Sequence, residues 1–303
     1  MRDHELHCNG ILPPLTTPFD EQGRVDFAAL RRNIARYNEA GLAGYVALGS
    51  NGEAIHLSRE EQTEVIETIK QAARPDHTVI AGVNEFSTHA AIAATQRAAD
   101  VGADAALVIT PYFYKSRMTQ AALSEHFIAV AEASPLPVFI YNVPQNTGVT
   151  IEPATIARLA EHANIAGVKD SAGNFAALAE TIRLAPADLQ VMIGNGGILY
   201  PSLLMGASGA ILAVACAAPR ACVELYEALR AGDGARARDL QNRLAPLSHI
   251  VTAGLGVAAL KAAMALNGFV GGQPRAPLAP LSEPERERVR AVMRDTGLFP
   301  EME

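Results

Sequence analysis

Eight short apolar runs alternate along the chain with longer stretches of helical period. They cover residues 10–17, 44–49, 78–83, 105–110, 137–143, 165–169, 190–194 and 208–214. They carry apolar side chains on both faces, as strands of a buried parallel sheet do. Between them the period changes. After Asp26, a good N-cap, the residues Phe27, Leu30, Ile34 and Tyr37 share one helical face, and Gly41 ends the helix. Pro153 opens another helix, with Ile156, Leu159 and Ala160 turned inward. Eight strand–helix units predict an α/β fold, a (β/α)8 TIM barrel, with a doubly wound sheet as the second choice on pattern alone. Beyond Pro219 no strand pattern remains. The segments 221–229, 234–244, 250–266 and 283–296 read as helices, the first closing the barrel and the others forming a C-terminal helical extension. The expected division is a catalytic barrel over 1–230 and a helical domain over 231–303.

Composition narrows the function classes. The chain has 303 residues, 49% apolar and 19% charged, enough for one large core. Its net charge is −7 and it carries no basic stripe, which argues against a nucleic-acid partner. The longest apolar stretch, 203–219, is too short and too glycine-rich to span a bilayer and reads as a buried strand with its flanks, so no membrane partner is expected. The N-terminal start is polar and charged, without the pattern of a signal or transit peptide. Cys8, Cys216 and Cys222 are scattered and read as reduced structural thiols of a cytoplasmic protein. His56, His89, His126 and His249 share no ligand spacing, so no metal site is expected. Neither a dinucleotide fingerprint nor a P-loop is present.

In a barrel, chemistry gathers at the C-terminal ends of the strands. Strand 1 delivers Thr16 and Thr17 there, and strand 2 delivers Gly49-Ser50-Asn51-Gly52-Glu53. Strand 4 brings Thr110-Pro111-Tyr112-Phe113-Tyr114, strand 5 Tyr141-Asn142-Val143-Pro144, strand 6 Lys169, and strand 7 Gly194-Asn195-Gly196. Lys169 stands out among these. The chain has four lysines against 21 arginines, and this one ends an apolar run. A buried lysine can lose its proton and act as a nucleophile, whereas arginine stays charged; an apolar barrel lowers a lysine pKa by desolvation. The alternative is a strand-end lysine reaching out to water. The Ser50 turn could hold a small carboxylate on its amides and hydroxyl, or be a plain connection braced by Glu53. Tyr141 could relay protons to a substrate on Lys169, or be a half-buried tyrosine with a satisfied hydroxyl. Lys70, Lys115 and Lys261 fall in stretches that read as solvated or helical, and Arg117 and Arg275 read as solvated surface charge.

Taken together, these segments resemble the family of dihydrodipicolinate synthases and N-acetylneuraminate lyases. The likeness rests on Leu15-Thr16-Thr17-Pro18-Phe19, the 49–53 turn, Thr110-Pro111-Tyr112, Tyr141-Asn142-Val143-Pro144, Thr147-Gly148 and Gly167-Val168-Lys169-Asp170-Ser171. These six motifs fall in order on the right strand ends and span about residues 10 to 300. The resemblance implies pyruvate, or a 2-oxo acid cleaved to pyruvate, bound as an imine on Lys169, with no metal or organic cofactor and a homotetramer built as a dimer of dimers. It makes Tyr141 the general acid/base. Ser50 and the amides of Ser50 and Asn51 would hold the pyruvoyl carboxylate, and Thr17, Gly194 and Ile211 would line the pocket.

Two departures from the family bear on the partner. Asn146 stands where the synthases carry an arginine that grips the aldehyde's carboxylate, and a neutral amide cannot replace a bidentate guanidinium. Phe113 stands where many members carry a relay tyrosine, leaving Tyr112 or Tyr114 to take that role or the reaction to do without it. Among the branches, the chain is most similar to the 4-hydroxy-2-oxoglutarate aldolases. That likeness implies cleavage of 4-hydroxy-2-oxoglutarate to pyruvate and glyoxylate. The alternatives are a 2-keto-3-deoxy sugar-acid aldolase, a condensing synthase of the 4-hydroxy-tetrahydrodipicolinate type, and a non-catalytic barrel that binds 2-oxo acids.

Overall fold

A computed structural model describes residue 6 and residues 8–299. Most of the polar N-terminal start and the last four residues of the expected C-terminal domain lie outside that range. Eight strands form one sheet: β1 (Gly10–Leu12), β2 (Gly44–Ala47), β3 (Thr78–Val83), β4 (Ala105–Ile109), β5 (Val138–Asn142), β6 (Ile165–Asp170), β7 (Gln190–Ile193) and β8 (Gly209–Ile211). They run in the order β1-β8-β7-β6-β5-β4-β3-β2, and every pair is parallel. A parallel bridge between Pro14 and Val46 closes the ring. The architecture is the (β/α)8 barrel that the alternation predicts.

The first strand is shorter than its apolar run because Pro13 and Pro14 have no N–H to offer a ladder. The chain still follows β2 past them, with Val46 N–H donating to Pro13 O at 3.1 Å and Leu15 N–H to Val46 O at 2.9 Å. Alternate residues point inward. Leu12, Val46, Ile80, Leu107, Phe139, Met192 and Ile211 fill the interior as one cluster, separate from the larger layer packed beneath the helices. Gly167 on β6 is part of this packing. A Cβ there would lie 2.3 Å from Phe139 Cε1 and 2.6 Å from Gln190 O, so the ring of Phe139 occupies the space a side chain would need.

Helices follow the strands with the caps that their sequences offer. Asp26 accepts from Ala29 N–H at the start of Phe27–Tyr37, and Ser58 with Glu61 forms a capping box on Arg59–Ala72. The C-terminal layer comprises Pro219–Arg230, Gly234–His249, Gly256–Leu266 and Glu283–Thr296. Two details differ from the periodicity. The helix expected to end near 244 continues through Pro246 to His249, and 250–266 is not one helix. A π-turn, Ile250–Gly254, precedes Gly256–Leu266, with Thr252 Oγ1 bonded back to Ser248 O at 2.6 Å. This layer reaches the C-terminal rim of the barrel: Gln241 Nε2 donates to Gly196 O at 2.9 Å, and Tyr200 N–H donates to Gln241 Oε1 at 2.8 Å. Cys8, Cys216 and Cys222 are buried and unbridged. Among the described residues no helix is long and apolar enough to cross a membrane.

Gly167→Ala tests the interior packing. Overpacking of this kind costs about 1–3 kcal/mol. Urea unfolding is expected to show a lower midpoint at an unchanged slope.

Candidate active site at the C-terminal mouth of the barrel

Lys169 is the penultimate residue of β6, directly across the ladder from Tyr141 on β5. Only 4% of it is exposed, with the apolar interior below it. Its Nζ lies 4.2 Å from the centre of the Tyr141 ring. It does not reach out to water as a solvated strand-end lysine would. The two residues that sequence reasoning set one strand apart are thus in direct contact.

The Tyr141 hydroxyl reaches Ser50 Oγ across the mouth at 3.5 Å. Burial opposes ionisation of this phenol. The positive charge of Lys169 and hydrogen bonds from Ser50, Lys169 and Ser171 outweigh burial, so its pKa falls below the ordinary value. A phenol tuned in this way exchanges protons more readily than a free one.

Ser50 is delivered by an unusual piece of backbone. Leu48, buried after β2, has φ of +55°, a left-handed conformation that costs a branched residue about 1–3 kcal/mol. Its carbonyl accepts from Asn84 Nδ2 at 2.8 Å, which helps to hold the bend. The chain then enters the short turn Ser50–Gly52. Gly52 N–H bonds to Gly49 O and Glu53 N–H to Ser50 O, while the amides of Ser50 and Asn51 stand at the leading end of the turn, without partners inside it. Thr17 does not point at Lys169 with its hydroxyl. It donates to Gly52 O at 2.7 Å and fastens the turn to the segment that follows β1.

Beyond β6 the mouth is built from polar pairs. Asn142 Nδ2 donates to Asp170 Oδ2 at 2.7 Å, and Ala172 N–H to Asp170 Oδ1 at 3.0 Å. Burial raises the Asp170 pKa against these bonds. Gly194 N–H donates to Asp170 O at 2.7 Å, and a Cβ on Gly194 would fall 1.8 Å from Ser171 Oγ, so only glycine fits there. Ile211 ends β8 in the interior cluster, beside Leu12.

The remaining candidates lie on the rim. Asn146 is exposed in the short helix Pro144–Thr147, where its neighbour Gln145 donates to Ser171 O at 2.6 Å. Tyr112 is half-buried with its ring edge-on to Phe86 at 5.1 Å. Phe113 and Tyr114 are 71% and 70% exposed and pack edge to face at 5.1 Å.

Two cations have partners that sequence alone does not show. Lys261 is fully buried inside the helix Gly256–Leu266, with Nζ 2.6 Å from Glu53 Oε1. Arg275 is not solvated surface charge: its guanidinium makes paired bonds to Glu61 at 2.7 Å and reaches Gly23 O and His56 O. Asn142, Asp170 and Ser171 stood inside the quoted motifs without an assigned part. The signal for Lys261 was available as a single charge in an otherwise apolar, alanine-rich helix.

Comparison with known proteins agrees with this geometry. Residues 7–296 match the model of the dihydrodipicolinate synthetase family. A 4-hydroxy-tetrahydrodipicolinate synthase of Methanothrix thermoacetophila is 39% identical over 285 residues, covering 94% of this chain and 95% of its own. The enzyme of that name from Acidiphilium cryptum is 40% identical, covering 96% and 99%. A prophage protein of the same family from E. coli K12, solved in complex with pyruvate, superposes with a TM-score of 0.90 at 31% identity, over 96% of this chain and 99% of that one. The chain belongs to the dihydrodipicolinate synthetase family of Schiff-base, pyruvate-dependent enzymes.

Proposed function

We propose that the protein joins pyruvate to an aldehyde, or splits such an adduct, through an imine on Lys169, with no metal or organic cofactor. The observation that carries this is the buried Lys169 amine against the ring of Tyr141, whose hydroxyl meets Ser50. The neutral amine adds to the C2 carbonyl of pyruvate and water leaves, giving a protonated imine. Loss of a C3 proton gives an enamine, whose carbon attacks the aldehyde carbon while the new alkoxide takes up a proton. Water then hydrolyses the imine and returns the amine. Cleavage runs the same steps backwards. In this reading Tyr141 carries the protons, and Ser50 with the amides of Ser50 and Asn51 holds the carboxylate. Thr17, Gly194 and Ile211 shape the pocket, and Asn146 faces the partner. Tyr112 and Tyr114 remain the candidates for a proton relay. The reading includes a homotetramer. The exposed edge-to-face group of Phe86, Phe113 and Tyr114 supports association between subunits.

The names of the relatives favour a condensing synthase of the 4-hydroxy-tetrahydrodipicolinate type over cleavage of 4-hydroxy-2-oxoglutarate. A 2-keto-3-deoxy sugar-acid aldolase is the second reading. Asn146 favours it, because an exposed neutral amide suits a polyhydroxy aldehyde better than a second carboxylate. Comparing kcat/KM for pyruvate with aspartate semialdehyde, glyceraldehyde and glyoxylate ranks the three.

Lys169→Arg is expected to abolish turnover and to prevent borohydride from fixing pyruvate to the chain, read by intact mass and peptide mapping. Full activity in this variant would end the imine reading. The alkaline limb of kcat/KM is expected below the ordinary phenol range, since Tyr141 is shifted down. The Ser50 hydrogen bond favours the phenolate, so Ser50→Ala should move that limb to higher pH. A limb that stays in place would remove Tyr141 from the role of titrating group.

A further inference from the structure

Glu53 ends the turn that offers Ser50 and Asn51 to the mouth, and its backbone is left-handed at φ +54°. A non-glycine residue keeps that conformation only where its surroundings over-determine it. Here they do so through the carboxylate. Oε1 lies 2.6 Å from Lys261 Nζ, and Oε2 accepts from Arg275 N–H at 2.8 Å. Both donors come from the C-terminal part of the chain. Lys261 is itself fixed, by a bond to Gln273 O at 3.0 Å and by the Phe19 ring 4.4 Å away. The Arg275 guanidinium lies 4.4 Å from the same ring. On its other side the turn is tied through Thr17 to the segment that follows β1. The turn is therefore held between the start of the barrel and its helical extension.

Burying an ion pair is a poor way to gain stability, because an apolar pair of similar volume would serve as well or better. What the pair supplies is a fixed place: an ammonium 2.6 Å from one carboxylate oxygen and a backbone N–H bonded to the other set one position for the turn. It also answers a problem of charge. Glu53 is three residues from Ser50, where an anionic substrate group would bind, and an unpaired carboxylate there would repel it. Burial pushes the Lys261 pKa down and the charge of Glu53 opposes that shift, so the pair depends on both members.

We propose that Lys261 and Glu53 are positioning residues for substrate: their buried ion pair holds the Ser50–Asn51 turn in its carboxylate-binding geometry. The inference rests on the imine reading, and the experiment separates the two. Three variants, Lys261→Met, Glu53→Gln and the double Glu53→Gln/Lys261→Met, are compared with wild type in steady-state kinetics and in the pyruvate dependence of borohydride trapping at Lys169. The double variant leaves no buried charge unpaired and is expected to fold.

The expected result is a pyruvate KM raised at least tenfold in every folded variant, with a parallel shift in trapping and kcat at saturation within about threefold of wild type. A purely structural bridge would instead lower activity in proportion to the folded fraction at unchanged KM, and that result would overturn the proposal. Loss of fold in all three would overturn it too. Failure of wild type to trap pyruvate at Lys169 would fell the imine reading itself, whatever the variants did.

Discussion

Closure of a parallel sheet is the constraint from which the rest follows. Each strand is buried on both faces, so an apolar side chain is required almost everywhere along it. Polar groups are admitted only where the strands run out, and a parallel barrel brings all of those ends to one mouth. Closure is least regular between β1 and β2, where two prolines interrupt the ladder and offset bonds to Val46 replace it. The same closure sets the surroundings of Lys169. Phe139 fills the space over Gly167, two residues before the lysine, so the amine stands above a packed floor with an aromatic face beside it. The fold does not merely carry Lys169; packing lower in the barrel decides how dry its position is.

What was legible in the sequence is what depends on neighbours in the chain. Strands, caps and the strand-end residues follow from local period and composition, and Lys169, Tyr141 and Ser50 could be set at one mouth because strand order fixes their height. What was not legible depends on partners far along the chain. Arg275 reaches Glu53 across 222 positions and Glu61 across 214, and nothing near residue 275 announces either. A lone lysine in an apolar helix says that some acid must meet it, but not which one. The π-turn at Ile250–Gly254 escaped for a related reason: it keeps the composition of a helix and changes only the bonding. Thr17 was expected to line the pocket, but its hydroxyl serves the turn, a distinction that position along the chain cannot make.

The buried pair of Glu53 and Lys261 shows why stability and function need separate ledgers. Removing one partner of such a pair costs about 3–5 kcal/mol, while replacing both with apolar groups is often neutral. Stability alone therefore does not favour keeping the charges. Geometry does, because an apolar contact has no direction, whereas a carboxylate held by the Arg275 amide on one oxygen and an ammonium at the other has one. The turn that needs this direction is also the one that leaves the left-handed Leu48, where the backbone is already strained. Strain at Leu48 and the ion pair at Glu53 bracket Ser50 from both sides and leave it little freedom.

The rim obeys different physics from the floor. Asn146 and Tyr114 are exposed and pack against little, so substitutions there disturb the fold by fractions of a kcal/mol. On the proposed reading, the same substitutions would change which groups meet an incoming aldehyde, and discrimination between partners is a difference of only a few kcal/mol. A family can thus hold its imine chemistry fixed while its partner changes, because the two sets of residues answer to different costs. At 39% and 40% identity the chain can share with its relatives everything that closure and a buried lysine demand while its rim varies. Where packing constrains the sequence least, members with the same floor are free to diverge, and so a shared fold and family leave the rim the least determined part of the molecule.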